Sequence, residues 1–345
     1  MLAEMASPTL MESEARESPA VARRLAAESG DQLAELGARL RKIMPRLVLA
    51  AGRGSSDAAA LLAKYVIEIR LGLPTVSVAP SVHSIYGGRF QLDRALVLAI
   101  SQSGRSPDLV EFCRNATGVD VLRVAMVNDT SSPLTSAVDV TLPLMAGPET
   151  SIAATKSCIA AMTLVLGLAG HWREDAAMIA AFNRTGDVLD RALRADWSSI
   201  ADFLDGDGPV YVVGRGPGLA IAAEAALKLK ETSGLHAESI SAAEIRHGPY
   251  ALAGPNLRAI IFAQRDASFA GLKTLAADLA QRGTSVLLIS PDASLPGVHV
   301  PADDEPVLEL ISMLLRFYLF ANDTALRRGR SPDRPPMLSK ITETR

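Results

Sequence analysis

The sequence predicts an α/β protein built from two copies of one strand-helix unit, each with a parallel sheet that helices cover on both faces. The first observation is an internal repeat, because RLVLAAGRGSSDAAALLAKYVIE resembles VYVVGRGPGLAIAAEAALKLKE, with Gly52-Arg53-Gly54 matching Gly214-Arg215-Gly216. The second is a series of short, continuously apolar segments separated by helical stretches, which is typical of strands buried on both faces. These segments are Ala95–Ile100, Val121–Val127, Tyr211–Val213, Ala259–Ala263 and Ser285–Ile289.

The repeat divides the chain into four parts. Residues 1–45 are expected to form a helical segment that packs on the repeats, and residues 46–185 the first domain. Residues 186–330 are expected to form the second domain, with the join marked by a helical stretch at about 187–204 and the GDGP sequence after it. Residues 331–345 contain three prolines, which favour an extended tail.

Composition restricts the kinds of partner. With 345 residues, 48% of them apolar, the chain is long enough for about two domains with their own cores. The net charge of -3, from 35 basic and 38 acidic residues, gives no broad basic surface, so we do not expect nucleic acid as a partner. The longest uncharged apolar run, at 159–170, is too short to cross a bilayer, and the N-terminus does not resemble a signal peptide. We therefore expect a cytoplasmic protein with no membrane partner.

The two cysteines, Cys113 and Cys158, have neither CxxC spacing nor secretory context. We expect both to be packing residues, because a free cysteine behaves as a small apolar side chain. No cluster of carboxylates or histidines has metal-ligand spacing, so no metal site is expected.

A hydroxyl-rich loop, SQSGRSPD, directly follows a predicted strand of the first copy. It supplies Ser101, Ser103 and Ser106, and Ser106-Pro107 is typical of a helix start, with serine as N-cap and proline in the first turn. Hydroxyls and free backbone N–H groups at a helix start are the donors that a phosphate dianion requires. The alternative is an ordinary serine-rich turn before a capped helix.

Ser55 and Ser56 follow the strand that we expect beside this loop. Ligands of open α/β sheets collect at the carboxyl edge of the strands, so these hydroxyls are expected to join the same site. At the position of SQSGRSPD, the second copy of the repeat reads QRDASFAG, which is not rich in hydroxyls. The sequence therefore predicts a phosphate site in the first copy and none in the second. Neither GRG sequence completes G-x-G-x-x-G with a following acidic residue, so no nicotinamide cofactor is expected.

The stretch LKLKETSGLHAESISAAEIRHGP combines carboxylates, lysines and histidines within about two predicted helices. At ~100° per residue, Glu224, Lys228 and Glu231 lie on one helix face, so Lys228 and Glu231 can share a pocket. A structural ion pair between these two residues is the alternative.

Further along, Ser241 and Glu244 have the S-x-x-E spacing of a capping box, which predicts a short helix that carries His247 in its last turn. Together, carboxylate, ammonium and imidazole suit proton transfers on a carbonyl or imine. We therefore expect the chemistry in this stretch.

The motifs GRGSSD, SQSGRSPD, AATKS, LKLKE, HAE, E-x-R-H-G-P and LSK occur in this order. They closely resemble the double sugar-isomerase (SIS) module that forms the isomerase half of glucosamine-6-phosphate synthase, and the match runs from MESEARESP to Lys340. The synthase also carries an N-terminal glutaminase domain, whereas this sequence enters the first SIS unit soon after Met1. A double-SIS chain without that domain looks like the SIS-type glucosamine-6-phosphate deaminases, and Arg105, where the synthase loop is acidic, fits that pattern.

The resemblance implies two tandem SIS domains that isomerise and deaminate an amino sugar phosphate, most simply glucosamine 6-phosphate to fructose 6-phosphate plus ammonia. It implies no cofactor, and a homodimer with shared active sites. The positions that it implies for phosphate are Ser56, Ser101, Gln102, Ser103 and Ser106. Ile152 matches a backbone contact to the sugar.

The resemblance also implies the catalytic residues. Glu231 matches the base that moves a proton between carbons 1 and 2, and Lys228 the catalytic lysine beside it. His247 matches a ring-opening histidine from the neighbouring subunit. Lys340 matches a tail lysine that reaches the carbonyl carbon, where imine formation and a simple solvated lysine are the two interpretations.

Two alternatives to this function stay open. One is a deaminase, deglycase or isomerase of another amino sugar phosphate, such as galactosamine 6-phosphate or fructosamine 6-phosphate. The other is a non-catalytic sugar-phosphate sensor, as in SIS-containing transcription regulators. Those regulators carry a helix-turn-helix segment, whereas about 45 acidic-leaning residues precede the first predicted strand here.

Overall fold

The computed structural model describes residues 7–340, which contain two parallel sheets of five strands each. The first sheet has the strand order β2-β1-β3-β4-β5 and the second β10-β9-β8-β6-β7. The strands are β1 (Leu47–Ala51), β2 (Thr75–Ser77), β3 (Leu92–Ser101), β4 (Gly118–Val127), β5 (Val140–Pro143), β6 (Val210–Gly214), β7 (Ala237–Ser241), β8 (Arg258–Phe262), β9 (Ser285–Ser290) and β10 (Val298–His299).

Helices precede and connect these strands. Within the described residues they are α1 (Leu10–Arg16), α2 (Ser18–Glu28), α3 (Gly30–Ile43), α4 (Ser55–Leu71), α5 (Ser81–Ser84), α6 (Pro107–Asn115), α7 (Lys156–Arg173), α8 (Ala176–Leu193), α9 (Gly218–Lys228), α10 (Phe269–Gln281) and α11 (Pro306–Arg327). A π turn (Leu229–Ser233) follows α9 directly.

The predicted fold class is confirmed, because both sheets are parallel and helices cover both faces of each. One large core of buried side chains joins the inner faces of the two sheets through α2, α3, α4, α7, α8, α9 and α11. A smaller core packs α6 against the outer face of the first sheet, and another packs α10 against the outer face of the second. The five apolar segments that predicted strands overlap β3, β4, β6, β8 and β9.

Strand pairing brings together the loops that the sequence singled out. β1 pairs with β3 in parallel register, with Ala51 opposite Ala99, so the loops that leave both strands lie at one edge of the sheet. The loop after β1 leads into the N-terminus of α4, and the loop after β3 leads into α6. Two helix N-termini therefore lie at the same edge, as expected for a site that binds an anion.

The predicted capping box is wrong. Ser241 is the last residue of β7, where it pairs with Gly214 of β6, and no side chain caps the short 3-10 turn Glu244–His247. The segment between Glu231 and His247 is thus a π turn, a strand and a 3-10 turn, not two helices. Pairing with β6 satisfies the backbone of this segment, so the local spacing of Ser241 and Glu244 does not decide its structure.

Candidate active site

A cavity of about 210 Å³ opens at the carboxyl edge of the first sheet. Its wall combines the loops after β1 and β3, the end of α9 with its π turn, the segment before α7 and the C-terminal tail. All the predicted site residues except His247 line it: Ser55, Ser56, Ser101, Gln102, Ser103, Ser106, Ile152, Lys228, Glu231 and Lys340. Segments almost 300 residues apart in the chain therefore meet at one place.

The hydroxyl-rich loop is held in shape by its own hydrogen bonds. The Ser101 hydroxyl accepts from the backbone N–H of Gly104 at 2.9 Å, and Gly104 has a φ of +64°. A Cβ at Gly104 would lie 2.0 Å from the Ser132 hydroxyl, so glycine is required at this turn. Ser106 is the N-cap residue of α6, as predicted, but its hydroxyl does not cap the helix. Ser106 is one of the residues that line the cavity.

Arg53 is a cavity residue that the sequence reasoning missed. Its Nε donates to Asp108 Oδ2 at 3.0 Å, and Asp108 is buried in the first turn of α6. The charged residues at the cavity wall are then three cations and one anion: Arg53, Lys228, Lys340 and Glu231. An excess of positive charge suits an anionic ligand. The available signal was Arg53, two residues after the end of β1, together with Asp108 in the first turn of α6.

Lys228 and Glu231 form a pair at the cavity wall, as predicted. Lys228 Nζ lies 2.6 Å from Glu231 Oε2 and 3.5 Å from Glu224 Oε1. Lys228 and Glu224 are buried, whereas the side chain of Glu231 keeps 21% exposure. The π turn carries Glu231, and wider helical turns of this kind often occur at functional sites. A carboxylate that faces the cavity is thus fixed by a buried ammonium behind it.

Burial and the neighbouring charges shift the pKa values of Glu224 and Lys228. Burial raises the pKa of Glu224 to about 7, against the opposing effect of Lys228. Tyr318 on α11 donates a hydrogen bond to Glu224 Oε1 at 2.9 Å. Burial alone would lower the pKa of Lys228, but the carboxylates of Glu224 and Glu231 offset it and the pKa lies above its ordinary value. Lys228 therefore stays an ammonium, and Glu224 titrates near neutrality.

This titration predicts a stability change with pH. The pKa of Glu224 is raised from 4.5 to about 7, so its contribution to stability is complete below about pH 4.5. The contribution is lost as the pH rises to about 7, because only the unfolded state releases the proton in that window. Between pH 4.5 and pH 8, the free energy of unfolding of the wild type, measured by chemical denaturation, should fall by roughly 3 kcal/mol more than that of Glu224→Gln. An equal dependence of the free energy of unfolding on pH in the two proteins would contradict the raised pKa of Glu224. The matched control is Glu28→Gln, because Glu28 is an exposed carboxylate.

The C-terminal tail places Lys340 in the cavity. Lys340 Nζ donates to the Ser151 carbonyl at 2.6 Å and lies 3.4 Å from Glu149 Oε2. Glu149, which the sequence reasoning also missed, accepts from the backbone N–H groups of Thr155 and Ser157 at 3.0 and 3.1 Å. A single buried carboxylate thus orders the segment before α7 and contacts the tail lysine.

Two histidines of the predicted stretch lie outside the cavity. His247 is exposed on the 3-10 turn Glu244–His247 and does not line the cavity of its own chain. His236 is exposed as well and does not line the cavity. A role for His247 in this cavity therefore requires a second chain.

Both cysteines are free and buried. Cys158 forms part of the cavity wall, and burial raises the pKa of its thiol well above the ordinary value. Across residues 7–340, no three His, Cys, Asp or Glu side chains are grouped as metal ligands. In the same range, no helix has the length and apolar character needed to cross a membrane.

Comparisons with known proteins agree with this architecture. The sequence matches the SIS domain over residues 45–169 and 206–296. It is 33% identical to the Aeropyrum pernix glutamine–fructose-6-phosphate aminotransferase (isomerizing) in an alignment of 313 positions that covers 85% of this chain and 50% of that protein. The chain thus spans about half the length of the curated relatives that it matches.

Two solved structures resemble the protein over most of its length. A Silicibacter pomeroyi DSS-3 protein, provisionally named a phosphosugar isomerase, is 37% identical, with a TM-score of 0.88 over 94% of this chain and all of that one. The Thermotoga maritima glucosamine-6-phosphate deaminase is 19% identical, with a TM-score of 0.77 over 97% of this chain and all of that one, and shows a shared fold. The two SIS segments, one on each five-stranded sheet, identify the chain as a member of the SIS domain family.

Proposed function

We propose that the protein is a phosphosugar isomerase that converts glucosamine 6-phosphate into fructose 6-phosphate and ammonia. The observation that carries the proposal is a single cavity in which the hydroxyl-rich loop lies together with the Lys228–Glu231 pair and Lys340. A phosphate site, a base and two cations are the parts that enolisation of a sugar phosphate requires. The isomerase names of the similar proteins support the same reaction class.

In this proposal the first copy of the repeat holds the phosphate. The hydroxyls of Ser56, Ser101, Ser103 and Ser106 and the N-termini of α4 and α6 donate to its oxygens. Ser55 and Gln102 complete this end of the cavity, and Ile152 contacts the sugar through its backbone. The reacting carbons then extend from the phosphate end toward the end of α9.

Proton transfer occurs at the other end. His247 of a second chain moves the proton that opens the ring, and Glu231 then takes the proton from carbon 2 and returns it to carbon 1. The proton that leaves the amino nitrogen goes to the carbon 1 oxygen, whose developing negative charge Lys228 stabilises. The resulting imine at carbon 2, polarised by Lys340, adds water and releases ammonia, which leaves fructose 6-phosphate.

The phosphate is expected to be indispensable. Each charge-assisted hydrogen bond to it contributes roughly 1.5–3 kcal/mol, and several hydroxyls line this end of the cavity. Unphosphorylated glucosamine should therefore have a kcat/KM lower by a factor of about 10³ or more than glucosamine 6-phosphate. Comparable kcat/KM values for the two sugars would rule out a phosphate site in this loop.

Product analysis tests the proposed function. Purified protein is incubated with glucosamine 6-phosphate, and ammonia and fructose 6-phosphate are measured together with the remaining substrate. We expect the two products in equal amounts. If the protein turns over only galactosamine 6-phosphate or fructosamine 6-phosphate, that sugar is the substrate instead. If it binds all three sugar phosphates and turns over none of them, the protein is a sensor and not an enzyme.

A further inference from the structure

Helix α1 contacts the tail that carries Lys340. Asp333, seven residues before Lys340, accepts hydrogen bonds from the backbone N–H groups of Leu10 and Met11, both at 2.8 Å. These N–H groups belong to the first turn of α1 and have no partner within the helix. The carboxylate of Asp333 therefore satisfies the start of α1 and fixes the tail at the same point.

The same helix holds the segment on which Lys340 rests. Glu14, buried in the last part of α1, accepts from the backbone N–H of Ser151 at 3.2 Å and from the Thr150 hydroxyl at 3.0 Å. The carbonyl of Ser151 is the acceptor for Lys340 Nζ at 2.6 Å. Ser151 is thus held by α1 through its N–H and receives the lysine through its C=O.

Helix α1 is itself tied to the rest of the protein. The Thr9 hydroxyl, which caps α1, donates to Asn322 Oδ1 on α11 at 2.6 Å. Just after α1, Glu17 Oε2 lies 2.6 Å from Nζ of Lys156, a buried lysine in the first turn of α7. Both ends of the helix are therefore anchored to core helices, and α1 can act as a rigid support for what it holds.

We propose that α1 is a brace that positions Lys340 in the cavity, with Glu14 and Asp333 as its positioning residues. The inference rests on the proposed role of Lys340 in the reaction. The brace holds the tail at Asp333 and also holds Ser151, whose carbonyl accepts from Lys340 Nζ. The tail between Asp333 and Lys340 is therefore fixed at both ends. Among the described residues, no hydrogen bond joins the hydroxyl-rich loop to Glu14, Asp333 or Ser151, whereas the bonds of Ser101 and Ser103 lie within the loop. We therefore expect the brace to act on the reacting end and to leave the phosphate end unchanged.

This arrangement predicts a change in kcat with little change in KM. Glu14→Gln and Asp333→Asn keep the side-chain shape but replace charge-assisted hydrogen bonds with weaker ones. A small displacement of a catalytic group can reduce a rate by as much as a hundredfold, so we expect each variant to lose about ten- to a hundredfold in kcat. We expect KM for glucosamine 6-phosphate to stay within about twofold, because phosphate contacts carry most of the binding.

A double-mutant cycle with Lys340→Ala tests whether the effect passes through the lysine. If α1 acts through Lys340, adding Glu14→Gln or Asp333→Asn to Lys340→Ala should lower the residual kcat no further. The control is Glu12→Gln on the same helix, since the side chain of Glu12 pairs with Arg16 and not with the tail or Ser151. That variant should have wild-type kcat. Melting temperatures measured in parallel identify any variant that fails to fold, and the other brace residue then carries the test.

The outcomes separate the brace from the proposed function. Losses that multiply with that of Lys340→Ala, or that fall on KM alone, would overturn the brace and leave the function intact. Wild-type kcat in both Glu14→Gln and Asp333→Asn, with Lys340→Ala impaired, would do the same. Full activity of Lys340→Ala would remove the role of the lysine in the reaction and the brace with it.

Discussion

Glu231→Gln is expected to lower kcat by about 10²–10⁴ while substrate binding stays nearly intact. In the wild type, Lys228 Nζ lies 2.6 Å from Glu231 Oε2. The amide of the variant keeps the shape of the side chain and can keep this contact, but it is not a base. The hydroxyls of the phosphate loop and the N-termini of α4 and α6 are unchanged, so binding should persist.

The measurement is steady-state kinetics with glucosamine 6-phosphate, together with a binding assay for the inactive variant. Glu238→Gln is the matched control, because Glu238 is an exposed carboxylate on β7 that does not line the cavity. It should behave as wild type. A Glu231→Gln variant with wild-type kcat would show that another group is the base.

Mixing two inactive variants should restore activity. His247 is exposed and lies outside the cavity of its own chain, so we propose that it serves the cavity of a second chain across a two-fold interface. A dimer of one Glu231→Gln chain and one His247→Ala chain then has both lesions in one site and a wild-type second site. With random exchange about half the dimers are mixed, which predicts roughly a quarter of wild-type activity.

The control mixture combines Glu231→Gln with Lys228→Met. Both lesions lie in the same wall of one chain's cavity, so no mixed dimer gains an intact site. Subunit exchange is verified by native mass spectrometry. If the first mixture, once exchanged, is no more active than its parents, His247 serves its own chain or has no catalytic role.

Much of the fold follows from patterns within single segments. Apolar runs located five of the ten described strands: β3, β4, β6, β8 and β9. The expectation of a parallel sheet predicted that the loops after β1 and β3 would meet, because the carboxyl ends of adjacent parallel strands share an edge. Helical spacing predicted that Lys228 and Glu231 would lie together, since residues three apart share a face. These features depend on a few neighbouring residues and on a common topology.

The features that sequence reasoning missed depend on contacts between remote segments. Glu149 and Lys340 are 191 positions apart, and Asp333 caps a helix more than 300 positions before it. Nothing in the local sequence of either partner indicates the other. The wrong capping box has the opposite cause, because a valid local pattern at Ser241 was overridden by pairing of β7 with β6.

The most direct test of the account follows the hydrogen on carbon 2. Glucosamine 6-phosphate with deuterium at carbon 2 is incubated with the protein, and the sugar products are analysed by NMR and mass spectrometry while ammonia is measured. The proposed reaction predicts fructose 6-phosphate with one equivalent of ammonia, the deuterium having moved to carbon 1 or into water, and no such change with Glu231→Gln. Recovery of the substrate with all its deuterium at carbon 2 and no ammonia, from folded protein that binds it, would contradict the account.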